Sequence, residues 1–320
     1  MISVINMGKI KIICTSTGCL EYAPEKYKNA DIDIIRIHMF FQNKEYLEGP
    51  DLDPWNFYKV LENVKDVKGN LPHTAMPTRE EIETVFDKAY EEGYEEVIVI
   101  ALSSYLGGTW NFIRLVAEDY HDKFKTITVV DARIACFQEG LLAFKAKEFV
   151  DKGYDVPRIL QELEWMKAHQ EFIGVSSRLD YMILNGRLKG GKAYLGKLMS
   201  ICPVVHFNHK GELAPLTNAM GVNRAMNKMD EQLVAWIGNR NNKDYILYRA
   251  YTGYSLQPIQ KRFEERYGIK VNHEDVIMST VTGCHVGPWI IGYGYSPLRR
   301  EDEPLDEVPN YYYEQNRISR

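Results

Sequence analysis

Residues 96–102 read Glu-Val-Ile-Val-Ile-Ala-Leu. This run has the length of a strand and offers no polar face. Such a strand must be covered on both sides, which is the condition of a parallel sheet flanked by helices. Lys9–Cys14 and Ile127–Val130 repeat the pattern, and 33–40 is a further β candidate. Between them lie helical stretches at 51–66, 78–92 and 138–151. In the second of these Ile82, Val85, Phe86 and Ala89 share one face, while Thr78 and Glu81 have the spacing of a capping box. Strand–helix alternation at these intervals predicts an open, mainly parallel α/β unit over residues 1–155.

The texture changes after Asp155-Val156-Pro157. Helices fit 157–170 and 222–238, and a shorter one ends at Asn185-Gly186. The stretch 193–207 reads as a helix running into a strand, followed by a tight turn at His209-Lys210-Gly211. Strands fit 171–177, 245–251, 276–281 and 290–295. Residues 156–300 therefore read as α+β. The tail, 301–320, is acidic and then aromatic, and its tyrosines 311–313 are expected to pack rather than stay in water.

Composition narrows the function. A net charge of -5 and a pI near 6.0 argue against a nucleic-acid binder, which usually carries a basic face, and leave a local basic patch open. The five cysteines form no C-x-x-C pair, so free thiols are expected rather than disulfides or zinc. There is no signal-peptide pattern and no apolar run of membrane-spanning length, which predicts a cytoplasmic protein without stable membrane insertion; transient membrane contact stays open. Phosphate-loop, nucleophile-elbow and H-E-x-x-H motifs are missing, so no cofactor and no metal is expected.

Ligands of open α/β sheets sit beyond the carboxyl ends of the strands. Here those ends are Thr15–Gly18, Ser103-Ser104 and Asp131-Ala132. Gly107 and Gly108 permit close backbone approach, and Thr109 falls at a helix start, where free N–H groups favour an anion. Read without a ligand, the same residues make a turn and a cap. Thr74 is expected in a loop before the capped helix. His285 is expected in a Gly-rich loop, suited either to a ligand anion or to a structural hydrogen bond.

Six blocks in order carry a family resemblance: CTSTGCL (14–20), PHTAMPT (72–78), SSYLGGTWN (103–111), VVDARIAC (129–136), the stretch 178–205 with its NGR, and TGCHVGPWIIGYGY (282–295). Together they resemble the DegV family of fatty-acid-binding proteins, some of which serve bacterial fatty acid kinase. The resemblance implies the two-domain DegV-like EDD fold and a carrier rather than an enzyme. It also implies a long-chain fatty acid with its carboxylate between the domains and its chain in the α/β unit, and a separate fatty acid kinase as partner. In the family the carboxylate is usually held by a threonine, a serine and a histidine. Thr74 and His285 match, but the serine position is Gly107. Ala75 and Met76 replace Ser-Gln; Thr15 and Cys19 replace aspartates; Ala132, Cys202 and Trp289 replace serine, lysine and glycine. Ser104, Thr109 or the Gly107 and Gly108 N–H groups are expected to compensate for the lost hydroxyl. Trp289 is expected to reshape the tunnel, and Arg187 either stabilises a phosphate or serves as a C-terminal helix cation. Two alternatives are a carrier of a different small anionic or apolar ligand, and a hydrolase using Ser103 or Ser104 with His285.

Overall fold

The first apolar run, β1 (Ile10–Thr15), is buried along its whole length and pairs in parallel with β2 (Ile32–Ile35). A short helix, α1 (Glu25–Lys28), lies between them. The computed structural model describes residues 9–194, 201–253, 263–272, 275–305 and 307.

The chain then leaves this sheet. The stretch 33–40, expected to be one strand, breaks at Arg36-Ile37. Its second part is β3 (His38–Phe41), which pairs antiparallel with β4 (Lys44–Leu47) and, after α2 (Pro54–Glu62), with β5 (His73–Ala75). Thr74 is therefore a strand residue and not part of a loop. Thr78 caps α3 (Arg79–Glu91) in a full capping box with Glu81.

The chain rejoins the first sheet as β6 (Glu96–Ala101) and, after α4 (Thr109–Ala117), as β7 (Thr126–Asp131). The four strands run parallel in the order β2-β1-β6-β7. Both faces are covered, as the absence of polar alternation requires. Phe86 and Ile113 lie in the core on one side with Val97 and Val99, and Leu141 and Leu142 lie on the other with Ile98 and Ile100. Those two leucines belong to α5 (Phe137–Asp151), which α6 (Val156–His169) follows.

A second sheet of six strands has the order β10-β9-β8-β13-β11-β12. Its members are β8 (Glu171–Ser176), β9 (Ile201–Phe207), β10 (Leu213–Met220), β11 (Tyr245–Tyr251), β12 (Val276–Ile277) and β13 (Ile290–Pro297). All its pairings are antiparallel except β11 with β12. Helix α7 (Asp180–Leu184) follows β8, α8 (Val222–Ile237) packs on β8, β9 and β10, and α9 (Thr280–Val286) precedes β13. The expected strand over 276–281 stops at Ile277, and the β-branched residues after it begin α9. Most of the expected helix ahead of β9 and the tyrosines of the tail lie outside the described residues. One apolar cluster includes Ile12 and Ile100 from the first sheet together with Phe172, Val205, Tyr248 and Ile290 from the second.

Candidate functional site

Where the carboxyl ends of β1, β6 and β7 meet the second sheet, a cavity opens. Counting its mouth and the solvent there, it encloses about 910 Å³ of empty space. Its walls are mostly apolar: Leu102 and Leu106 after β6, Phe172 on β8, Phe207 on β9, Leu213 on β10 and Ile290 on β13 all face it. Thr17, Thr74, Thr109, Arg187, Thr282 and His285 supply the polar side chains, and Gly107 and Gly108 line it with backbone.

The closest polar pair is Thr74 and His285. Thr74 Oγ1 lies 3.0 Å from His285 Nε2, joining β5 to α9 across 211 residues of sequence. Nδ1 of His285 is sealed from solvent and has no partner among the described residues. Burial, with a smaller contribution from the Arg187 charge, pushes the imidazole down to about 4, so it is neutral at pH 7. A neutral imidazole donates one hydrogen bond and accepts another. Arg187 sits just beyond α7 and gives Nη1 to the Asn185 carbonyl at 2.8 Å. Its Nε is buried without a partner, and burial lowers its pKa. Asn185 in turn holds the Cys284 carbonyl at 2.8 Å, so the Arg187 turn is fixed to α9.

His285 is in the last turn of α9, not in the expected Gly-rich loop. The opposite end of α9 is held by a residue that sequence reasoning missed. Glu48 is 1% exposed and accepts from Thr280 N (3.2 Å), Thr280 Oγ1 (2.8 Å), Val281 N (2.6 Å) and the Tyr22 hydroxyl (2.7 Å). Burial still raises its pKa against those bonds. A carboxylate at a helix N-terminus is favourable, but no spacing rule links residue 48 to residue 280. His38 was missed as well. It bridges Glu45 and Glu81, each at 2.8 Å, and pins the small sheet to α3. Burial lowers its pKa, but the two carboxylates outweigh that and raise it.

Gly108 takes the N-cap position of α4 and Thr109 the first helical position. A Cβ on Gly108 would lie 2.8 Å from Met76 Sδ, whereas one on Gly107 would meet nothing within 4 Å. Ser104 is not among the residues lining the cavity: its hydroxyl goes to Asp131 Oδ2 at 2.6 Å. Ser103 gives its hydroxyl to the Gly211 carbonyl at 2.8 Å. Neither serine bonds His285, whose partner is Thr74, so the geometry lends the Ser/His hydrolase alternative no nucleophile–base pair. Trp289 also does not line the cavity. The apolar wall draws on the second half of the chain as much as on the α/β unit, where the resemblance had put the acyl chain.

A cavity of this kind, set between a parallel sheet and a mixed sheet with polar groups gathered at one part of its wall, defines a small-ligand binding protein. The family model described as "Uncharacterised protein, DegV family" matches residues 9–298, and the chain belongs to the DegV family. It is 27% identical over 289 residues to a DegV domain-containing protein of Listeria innocua, covering 90% of this chain and 98% of that one. It is also 27% identical over 300 residues to a protein of Thermotoga maritima named fatty acid-binding protein, covering 92% and 99%. Among solved structures, a fatty acid binding DegV family protein from Streptococcus agalactiae superposes with a TM-score of 0.80 at 24% identity, over 91% of this chain and all of that one. No helix among the described residues is long and apolar enough to cross a membrane.

Proposed function

We propose that this cavity carries a long-chain fatty acid and presents its carboxylate to a separate fatty acid kinase in the cytoplasm. The observation that carries the reading is the Thr74–His285 pair, 3.0 Å apart in an otherwise mainly apolar wall. Each buried methylene contributes roughly 0.8 kcal/mol, which suits a long apolar chain. The head group needs only a few donors, and the Thr74 hydroxyl, the His285 ring and the backbone of Gly107 and Gly108 supply them. Thr109 stands beside them at the start of α4. Arg187, half-buried with a sealed, unpartnered Nε, is placed to meet the added charge when the carboxylate becomes an acyl phosphate. In this role the protein solubilises and orients its cargo, and the phosphoryl transfer belongs to the kinase. The fatty-acid-binding relative from Thermotoga maritima supports the same reading.

A second reading, a different small anionic ligand with no kinase, is favoured by the altered head-group region. Gly107 supplies no hydroxyl, and Met76 reaches over Gly108.

Native mass spectrometry of freshly purified protein, followed by solvent extraction, separates the two. A stoichiometric long-chain acid, lost in Thr74→Val without loss of fold, is the expected result. An unrelated metabolite, or lipid retained in Thr74→Val, refutes the fatty-acid assignment of this pair.

A further inference from the structure

Helix α9 lies along the cavity, and one of its faces forms part of the wall. Val281, Thr282, His285 and Val286 line it, with Met278 just ahead of the helix. His285 marks the head-group end. Thr282 stands on the same face one turn earlier, about 4.5 Å away along the helix axis. It is half-buried, whereas Val281 and Gly283 on either side of it are buried.

The hydroxyl of Thr282 is held from two sides. Ser279 Oγ donates to Thr282 Oγ1 at 3.1 Å, and Cys136 Sγ donates to it at 3.6 Å. A helical threonine usually spends its own proton on the carbonyl three or four residues back. Here the Tyr58 hydroxyl occupies both, at 3.0 Å from the Met278 carbonyl and 2.8 Å from that of Ser279. The Ser279 carbonyl also takes the Gly283 N–H at 2.9 Å. Among the described residues Thr282 Oγ1 accepts two hydrogen bonds and donates none. Other threonines of the cavity are engaged: Thr17 gives its proton to Glu139 Oε2 at 2.7 Å, and Thr74 pairs with His285. Thr282 thus turns a spare donor toward a mainly apolar cavity. A plain methylene chain packed there would leave that donor unpaired, which costs free energy.

We propose that the cargo is a long-chain acid carrying a hydroxyl group near its carboxyl end, and that Thr282 donates to that hydroxyl oxygen. The inference rests on the Thr74–His285 pair holding the carboxylate. From there a chain running along α9 reaches Thr282 after about 4.5 Å, about three C–C bonds, so the hydroxyl belongs on about the third or fourth carbon. An oxygenated chain pairs both its own hydroxyl and that of Thr282, and a plain chain pairs neither. Ser279 and Cys136 fix the direction of the donor, so one configuration at the hydroxyl-bearing carbon fits better than its mirror image.

The test strips lipid from the full chain and measures displacement of a fluorescent fatty acid. The competitors are tetradecanoic acid, each enantiomer of 3-hydroxytetradecanoic acid, and 12-hydroxyoctadecanoic acid beside octadecanoic acid. One 3-hydroxy enantiomer is expected to bind roughly tenfold tighter than the plain acid, the worth of one hydrogen bond. The distant hydroxyl of the 12-hydroxy acid gives no gain over its parent. Thr282→Val, which keeps the shape and removes the donor, brings the 3-hydroxy and plain acids level. Neither enantiomer tighter than the plain acid, a gain kept in Thr282→Val, or a gain confined to the 12-hydroxy acid overturns the proposal. The comparison of acids on the wild-type protein decides it even if the variant does not fold. Plain acids that bind while 3-hydroxy acids gain nothing sink this inference alone. A protein that takes up none of these acids sinks the carrier reading and this inference with it.

Discussion

Acid should weaken this protein through His285 by an amount that the site sets. The free imidazole titrates at 6.5, and in the folded chain burial and the nearby Arg187 push it down to about 4. Between those values the unfolded chain binds the proton and the folded chain does not. Stability is therefore full above about pH 6.5 and drains as pH falls toward 4. At about 1.4 kcal/mol per pH unit, the whole window costs about 3 kcal/mol. Other groups titrate in the same range, so the comparison must be differential. Urea unfolding is followed from pH 7 to pH 4 in the ligand-free wild type and in His285→Gln, which keeps a polar group without a titrating ring. The wild type is expected to lose about 3 kcal/mol more than the variant across the window. Parallel curves would mean that His285 is not desolvated as described. If a carboxylate then binds against the ring, it raises the imidazole pKa, so binding takes up a proton near pH 5. Calorimetry in buffers of different ionisation enthalpy reads that uptake, and its absence would separate the ligand's carboxylate from His285.

Three further outcomes follow from the same geometry. Gly107→Ser adds a hydroxyl where an added Cβ meets nothing within 4 Å, and it should tighten fatty-acid binding about tenfold, the worth of one hydrogen bond to a charged group; unchanged or weaker affinity in a fluorescent-lipid displacement assay would contradict the head-group assignment. Glu48→Ala leaves the donors of Thr280, Val281 and Tyr22 unpaired at about 1–3 kcal/mol each, and should cost more than about 3 kcal/mol in urea unfolding while weakening ligand retention through α9; a loss below about 1 kcal/mol would show that α9 does not depend on this carboxylate. Gly140→Ala drives a methyl into the Gly18 carbonyl and should destabilise by about 1–3 kcal/mol or more; a neutral result would show that the backbones have room to part.

The parallel sheet was legible because its strands are apolar on both faces, a pattern with few other uses. The Thr78–Glu81 cap was legible because both partners lie within one turn. What escaped was set by long-range contact. Asp33–Phe40 looks like one strand, and only pairing partners show that Ile35 belongs beside β1 and His38 beside β5. Thr280–Val286 carries β-branched residues and a glycine and reads as strand and loop. It becomes a helix because Ser279 caps it and Glu48 meets its first N–H groups. Thr74 and His285 were picked out by their local motifs and by resemblance, but their direct contact was invisible until β5 and α9 were in place.

The position of β13 constrains the making of the protein. It is the last strand among the described residues, yet it lies inside the second sheet, bonded to β8 on one side and β11 on the other. During synthesis β8 and β11 emerge first and must wait with unpaired edges facing an open slot. The stretch from Ser176 to Ile290 takes on the order of ten seconds to emerge at typical elongation rates. Through that interval the nascent chain holds two strand edges that any other strand, from this chain or a neighbouring one, can fill. His285 and the Ile290 wall of the cavity are made at the end of the same wait, so a ribosome that stalls short of residue 290 releases a chain with neither a closed sheet nor a binding site.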